Sequence, residues 1–289
     1  MKNPNPAGKT PYIIGDIHGC YQELLLLEEK IYEHAQEKDE DPFFVSVGDL
    51  IDRGPDSRKV VEHFLRGEEA GTHWVVAGNH EASFLEILEI YAPQLFEDLG
   101  INREEALPIY HDGMKRSYEE IKHRSRLSFD EYCNKMLKSW KVQGGKETLL
   151  SYEMDDIEDL RDFPLEHLRF LCNLPIFWED AFTVVTHAMV CKDELELIRD
   201  PENYDGMLGM DAACRGALWN RKMDFEPPDL IRVHVSGHTP IQEPAWMEDV
   251  GRALIDTGCV YGNCLTAMHS QTHEFITVEA QNVELDEIG

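Results

Sequence analysis

The amino-acid sequence predicts an α/β protein, and three observations lead to that class. Apolar runs at residues 12–14, 43–47 and 74–77 have the length and the β-branched or aromatic composition of buried strands. Residues 21–36 and 57–66 lie between these runs and repeat apolar side chains at helical spacing. This alternation of strand and helix favours a largely parallel sheet with right-handed crossovers.

A polar cluster follows each of the three predicted strands. Asp16 comes just after the first strand, Asp49 after the second and Asn79 after the third. Parallel sheets bring the carboxyl ends of their strands to one edge, where α/β proteins place their functional groups. We therefore expect these side chains to meet at one rim of the sheet.

Between about residues 83 and 172 the pattern becomes helical, charged and rich in aromatic residues, with one strong break at residues 143–145 (QGG). We predict a helical cap for residues 83–172 and expect it to set substrate choice. Its larger aromatic residues are expected to pack between helices, and the alternative is that they line a recognition surface. These residues are Tyr118, Tyr132, Trp140 and Tyr152.

Strands return after the cap. The predicted runs are residues 182–186, which end at His187, residues 232–236, which precede His238, and residues 253–255. Residues 265–268 and 274–278 are typical of an antiparallel pair. The later strands therefore add two histidines to the groups expected at strand ends.

The charge balance excludes some classes of function. The chain of 289 residues has 27 Lys and Arg against 56 Asp and Glu, a net charge of −29. So acidic a chain lacks the counterion-release affinity of basic proteins for nucleic acids, and anionic lipid does not attract it. We expect no broad nucleic-acid binding and no membrane association. An apolar content of 42% is enough for a sizeable core.

The sequence predicts a cytoplasmic protein. Residues 1–7 have no apolar stretch of the kind found in signal peptides, and no run approaches the ~18 apolar residues that span a bilayer. The seven cysteines are odd in number and form no C-x-x-C pair. This pattern argues against a disulfide framework and against a structural zinc knuckle.

The groups expected at the strand ends are carboxylates, one amide and imidazoles: Asp16, His18, Asp49, Asp52, Asn79, His80, His187 and His238. Oxygen and imidazole ligands without thiolate suit a divalent metal such as Mn²⁺, Zn²⁺ or Fe²⁺. The candidates are too many for one ion, so we predict two. Two cations ~3.5–4 Å apart need a bridging anion, which a carboxylate can provide.

Several short motifs occur in a specific order. Residues 15–19 read GDIHG, residues 48–54 read GDLIDRG and residues 78–81 read GNHE. Residues 186–188 (THA), 218–221 (LWNR), 237–240 (GHTP) and 255–259 (IDTGC) follow. Together they resemble the phosphoprotein-phosphatase branch of the metallophosphoesterase superfamily, in its bacterial and phage form. The resemblance covers about residues 11–81 and 182–270.

The resemblance implies a fold and a set of roles. The fold would be a β-sandwich of two mixed sheets flanked by helices, with residues 1–289 forming one calcineurin-like metallophosphoesterase domain and residues 83–172 inserted as its cap. The implied metal ligands are Asp16 and His18 for the first ion, Asp49 as the bridge, and Asn79, His187 and His238 for the second. His80 would be the general acid with Asp52 behind it, and Arg53 and Arg221 would hold phosphate oxygens. Asn79 is also expected to bind substrate, and for Tyr261 substrate binding and packing in the core are equal alternatives.

The implied chemistry is hydrolysis of a phosphoester by a metal-bridging hydroxide. Bound metals lower the pKa of water from 15.7 towards ~7, so no serine or cysteine nucleophile is needed. A histidine suits protonation of the leaving group near neutral pH. The expected cofactors are two divalent ions, Mn²⁺ first, with Zn²⁺, Fe²⁺, Co²⁺ or Ni²⁺ as alternatives. The remaining histidines are interpreted as surface or core residues: His34, His63, His73, His111, His123, His167, His234, His269 and His273.

Three interpretations of the substrate stay open. The leading one is a serine/threonine protein phosphatase, or one acting on phosphotyrosine, with a phosphorylated protein or small phosphoester as partner. Asp52 favours it, because the related symmetrical bis(5'-nucleosyl)-tetraphosphatases tend to lack an aspartate there. A nucleotide hydrolase of that second kind is the alternative, and residues 258–262 (GCVYG) favour it mildly. The remote alternative is a metal-binding scaffold without turnover.

Overall fold

The computed structural model of the chain describes residues 6–101, 128–200, 215–222, 226 and 228–281. Within these residues the strands form two sheets of five strands each. Both sheets mix parallel and antiparallel pairs. The predicted class, two mixed sheets flanked by helices, is therefore confirmed.

The first sheet contains the strand–helix alternation read from the sequence. Its strands, in spatial order, are β10 (Phe275–Glu279), β9 (Cys264–His269), β1 (Lys9–Ile14), β2 (Asp41–Ser46) and β3 (His73–Val75). β1 pairs with β2 and β2 with β3 in parallel, whereas β9 pairs antiparallel with both β1 and β10. The first three strands therefore end at the same edge.

The second sheet is built from the later part of the chain. Its spatial order is β4 (Phe177–Glu179), β5 (Thr183–Thr186), β6 (Val233–Ser236), β8 (Arg252–Leu254) and β7 (Ala245–Met247). β6 pairs in parallel with β5 and β8, while β4 and β7 pair antiparallel at the edges. The sequence analysis did not predict β4 or β7, which have three residues each.

The two sheets pack face to face through a buried apolar layer. Val45 and Ile13 of the first sheet belong to the same core cluster as Val185, Val235 and Trp178 of the second. Alternate residues of the first sheet, such as Ile14 and Phe44, join a second cluster with the helices. Because successive strand residues point to opposite faces, each strand of the first sheet contributes to both layers.

The described helices begin with α1 (Tyr21–Glu37), α2 (Ser57–Glu69), α3 (Asn79–Tyr91) and α4 (Gln94–Asp98). Next come α5 (Phe129–Trp140), a π-helical turn (Lys141–Gly145), α6 (Lys146–Ser151), a 3₁₀ turn (Ile157–Asp162) and α7 (Leu165–Cys172). The last two are α8 (Lys192–Arg199) and α9 (Gly216–Trp219). None of the described helices is long and apolar enough to cross a membrane.

The described parts of the predicted cap are helices joined by short turns, and Tyr118 lies outside the described residues. Tyr132, Trp140 and Tyr152 are all buried, so the interpretation as packing residues is confirmed for these three. The break predicted at residues 143–145 is the π-helical turn, where Gly144 has a φ of 114°. The division of the chain into one domain with an inserted cap stays a prediction.

Candidate active site

The predicted ligands meet where the two sheets end. Asp16, Asp49 and His187 bring one ligand atom each within 4.8 Å of one another, and so do His18, Asp49 and His80. The loops after β1, β2 and β5 supply the first trio, which joins one loop of the second sheet to two of the first. The rim expected from one sheet is therefore shared by both.

Asp49 lies at the centre of this group and is buried. Its Oδ2 is 3.3 Å from His18 Nε2, and its Oδ1 is 3.4 Å from His187 Nε2. Burial raises the pKa of Asp49, but the neighbouring His187, His80 and His18 outweigh it and lower the pKa overall. Each oxygen of one carboxylate thus faces a different histidine, which is the arrangement a bridging ligand needs.

Histidines on the second-sheet side are held in the neutral form that binds metal. His187 Nδ1 donates to the carbonyl of Val47 at 2.9 Å, which leaves Nε2 unprotonated. That Nε2 is 2.9 Å from Asn79 Oδ1 and 3.1 Å from His238 Nδ1. Burial lowers the pKa of His187, and it lowers the pKa of His238 to about 3. His238 Nε2 is buried without a hydrogen-bond partner among the described residues.

Buried carboxyl groups lie close together beside these histidines. Burial and the charges of Asp256 and Asp49 raise the pKa of Asp16 well above its usual range. Burial likewise raises the pKa of Asp256 to about 6. Asp16 accepts the backbone N–H of His238 at 3.1 Å, and a Cβ at Gly237 would lie 1.9 Å from its Oδ1. Such a cluster of carboxylates fits cations well, because an uncompensated buried charge is costly.

His18 and Arg53 lie next to each other beside Asp49. His18 Nδ1 lies 2.8 Å from the carbonyl of Ile51, which directs Nε2 towards Asp49. Burial lowers the pKa of His18 to about 3. The guanidinium of Arg53 contacts this Nε2 and lies 5.5 Å from the ring centroid of Tyr261.

A histidine–aspartate pair stands next to the ligands. His80 Nδ1 is 2.7 Å from Asp52 Oδ2, and His80 Nε2 is 3.9 Å from Asp49 Oδ2. Burial opposes a charge on His80, but Asp49 and Asp52 raise its pKa overall. Asp52 is fully buried. The hydrogen bond to Asp52 and the raised pKa therefore favour the charged imidazole, whose Nε2–H faces Asp49.

Three residues outside the motifs hold this pair and Arg53 in place. Trp140 Nε1 donates to Asp52 Oδ2 at 3.1 Å, and Thr148 Oγ1 donates to Asp52 Oδ1 at 2.6 Å. The carbonyl of Gly144 accepts the backbone N–H of Arg53 at 3.1 Å. A Cβ on Gly144 would lie 2.2 Å from Arg53 N, so only glycine fits. Of these three, the sequence signalled only the Gly-Gly break.

Glu81 organises the loops that carry the ligands. Its carboxylate accepts backbone N–H groups of Gly78 at 2.8 Å, Asp49 at 3.0 Å, Leu50 at 2.7 Å and Ile51 at 3.3 Å. One buried side chain thus ties the loop after β2 to the start of α3. The glutamate of the GNHE motif therefore stabilises the loops that carry the predicted ligands, in addition to the histidine that the motif contributes.

The remaining predicted residues lie at the edge of the site. Arg221 is exposed. Burial is the main cause of the lowered pKa of His238 and of the raised pKa of Asp256, and the charge of Arg221 acts to lower both. Tyr261 is 63% exposed and meets the site through Arg53. Asp256 accepts the backbone N–H of Gly258 at 3.0 Å, as a turn aspartate does.

Trp140→Phe should lower kcat about tenfold or more and leave the metal content unchanged. It removes one hydrogen bond to a buried carboxylate, and such bonds are worth about 1.5–3 kcal/mol. Trp74→Phe is the matched control, since the indole N–H of Trp74 is buried without a partner among the described residues. Steady-state rates and metal analysis of both variants check this. Equal kcat values for the two variants would show that Trp140 does not position the pair.

Two carboxylates among neutral imidazoles, beside a proton-carrying histidine, define a metal-dependent phosphoesterase. The chain belongs to the calcineurin-like phosphoesterase family, which it matches over residues 10–242. Enzymes of this family use a dinuclear metal site, and the donor set described above fits two divalent ions.

Similar proteins share most of the length of this chain. The asymmetrical bis(5'-nucleosyl)-tetraphosphatase PrpE of Bacillus velezensis is 26% identical over 273 residues, covering 93% of this chain and 92% of the relative. The symmetrical bis(5'-nucleosyl)-tetraphosphatase of Nitrosomonas europaea is 26% identical over 287 residues, covering 92% and 97%. The solved structure of a cold-active protein-tyrosine phosphatase from a psychrophilic Shewanella species has a TM-score of 0.54 at 15% identity, covering 97% of this chain and 83% of that one. It shares the fold.

Proposed function

We propose that the protein hydrolyses bis(5'-nucleosyl) tetraphosphates. The observation that carries the proposal is the similarity to tetraphosphatases at 26% identity over more than nine-tenths of both chains. The likeness to a protein phosphatase is limited to the fold. This reverses the order of preference that the sequence motifs alone suggested.

A protein phosphatase is the second candidate, and the bond between His80 and Asp52 favours it. A seryl or threonyl alkoxide is a poor leaving group that must be protonated as it departs. Fully buried Asp52 holds His80 at 2.7 Å for that task. A nucleotide leaving group is a phosphate and needs this proton far less.

The same side chains serve either substrate. Arg53 and Arg221 hold phosphate oxygens, since planar guanidinium groups match them in charge and geometry. Asp16, His18, Asp49, Asn79, His187 and His238 would hold two divalent ions, which supply an activated water and neutralise phosphate charge. His80 donates its proton from Nε2 to the leaving oxygen, and Asp52 keeps the imidazole charged and oriented.

A small cleft opens beside His80. Residues of α3 form one wall, including Ser83 and Glu86, and residues of α5 and the π-helical turn form the other, including Met136 and Gln143. Because residues of the predicted cap (83–172) form most of both walls, they would select the leaving group. Glu86 is paired with Arg215 at 3.1 Å, and burial nevertheless raises the pKa of Glu86 to about 7.

The substrate class is tested by comparing kcat/KM for diadenosine tetraphosphate with values for phosphoserine, phosphothreonine and phosphotyrosine peptides, all with Mn²⁺. We expect the dinucleotide to be preferred by about tenfold or more, a difference of about 1.4 kcal/mol in transition-state binding. The products distinguish symmetrical cleavage to two ADP from asymmetrical cleavage to ATP and AMP. A preference for a phosphopeptide would instead support the second candidate, and no turnover of any of them would refute both.

A further inference from the structure

A second group of potential metal ligands lies on the helix-covered face of the first sheet, apart from the catalytic rim. Glu28 of α1, His63 of α2 and His73 of β3 bring one ligand atom each within 4.8 Å of one another. None of the three belongs to the motifs of the rim. The sequence analysis interpreted both histidines as surface or core residues, and the structure places them together.

Both imidazoles point at the same carboxylate oxygen. His63 Nε2 is 2.7 Å and His73 Nε2 is 3.1 Å from Glu28 Oε1. Nitrogen and oxygen ligands bound to zinc at about 2.0–2.2 Å in a tetrahedron lie about 3.3 Å apart. The Nε2 atoms of His63 and His73 would have to move away from Glu28 Oε1 by about 0.6 Å and about 0.2 Å to admit a zinc ion between these atoms.

The ring of His73 is fixed before any ligand arrives. It stacks on Phe44 with centroids 4.7 Å apart and meets the edge of Phe64 at 5.5 Å. A Cβ on Gly67 would lie 2.2 Å from His73 Nδ1, so glycine at this position in α2 makes room for the ring. Packing thus holds the imidazole with Nε2 directed at Glu28.

A neighbouring hydroxyl can set the protonation that a metal requires. Thr72 Oγ1 is 2.8 Å from His73 Nδ1 and 3.2 Å from the carbonyl of Gly67. When the hydroxyl donates to that carbonyl, it accepts Nδ1–H and leaves Nε2 free to bind a cation. Partners of this kind orient metal-bound histidines. The same ring position serves both the metal-free and the metal-bound form.

The surroundings favour access by a cation. His63 and His73 line a cleft, and the side chain of His63 is about one-fifth exposed (19%). Of the three cations that line the same cleft, Arg66 pairs with Glu166 at 2.8 Å and Lys59 with Asp56 at 2.7 Å, while the guanidinium of Arg58 lies 5.9 Å from the ring centroid of Tyr152. A chain with a net charge of −29 also attracts cations at long range.

We propose that Glu28, His63 and His73 form a Zn²⁺ site, with water as the fourth ligand, that joins α1, α2 and β3. Two imidazoles and one carboxylate are a ligand set that zinc accepts readily. Binding would replace the hydrogens through which the two imidazoles contact Glu28. The proposal is independent of the substrate of the catalytic rim.

The test counts zinc by mass spectrometry after equilibration of the whole protein with buffered Zn²⁺ at pH 7.5. We expect His63→Gln to hold one zinc ion fewer per chain than the wild type. His34→Gln is the matched control, because His34 also faces a carboxylate, Glu274 at 3.4 Å, but lies outside the group. The difference between the counts is the readout, so the occupancy of the catalytic rim does not affect it.

A second measurement separates loss of the site from misfolding. Without zinc, His63→Gln should keep the circular dichroism spectrum and the p-nitrophenyl phosphatase rate of the wild type with Mn²⁺. With zinc, the melting temperature of the wild type should rise more than that of the variant, because a ligand that binds only the folded state stabilises it. Equal zinc counts for wild type and variant would overturn the proposal and show that the three residues are joined by hydrogen bonds alone.

Discussion

Replacing His80 with asparagine should lower kcat by about 10²–10⁴-fold while the metal ions stay bound. The imidazole is the group that Asp52 keeps protonated, at 2.7 Å, and asparagine cannot deliver a proton. The fall should be larger for a phosphoserine peptide than for diadenosine tetraphosphate, because the alkoxide needs protonation and the phosphate leaving group does not. Single-turnover rates with both substrates and metal analysis of the variant check these expectations.

The metal content of the His80→Asn variant distinguishes a general acid from a metal ligand. Its Nε2 lies 3.9 Å from Asp49 Oδ2, and it shares a group of possible ligands with His18 and Asp49. A variant that loses metal together with activity would make His80 a ligand and would contradict its role as the acid. A variant with unchanged kcat on every substrate would contradict both roles.

Asp49→Asn should abolish binding of at least one of the two metal ions and bring activity below detection. The amide keeps the size of the side chain but loses the charge that faces His18 on one side and His187 on the other. Metal affinity should fall more than the 10–100-fold that loss of a ligand's outer partner typically costs. Metal content by mass spectrometry and hydrolysis of p-nitrophenyl phosphate are the measurements.

Asp52→Asn is the matched control for this change. Asp52 lies three residues along the same loop and is equally buried, but its oxygens accept from His80, Trp140 and Thr148. It should keep both ions and lose only the rate that depends on the acid. Two ions in the Asp49 variant, or metal loss equal in both variants, would show that Asp49 is not the bridge.

Most of the first sheet could be predicted because its signals are local. The strands at residues 12–14 and 43–47 and the helices beside them are runs long enough to show their period, and the antiparallel pair near the C-terminus was also predicted. β4 and β7 were missed because their three residues each, FWE and AWM, include no β-branched side chain and do not extend into a longer apolar run. Both are edge strands whose pairing with β5 and β8 is set by the sheet they join.

The site residues that lie within the sequence motifs could be predicted. The ligands stand at strand ends, so sequence order places them at the rim. Trp140 is 88 positions from Asp52 and Thr148 is 96, and no local pattern links such residues. The group of Glu28, His63 and His73 was missed for the same reason, since one residue comes from each of three elements.

The backbone conformation of the rim also limits how the thermal stability of the protein can be increased. Five functional residues have left-handed φ angles: His18 (45°), Asp49 (53°), Asp52 (69°), Arg53 (71°) and His238 (68°). Such positions cost of order 1–3 kcal/mol each for residues other than glycine. Glycine there would relieve strain and remove the functional group together. Directed evolution for heat resistance alone would therefore drift towards inactive proteins, and selection must include turnover.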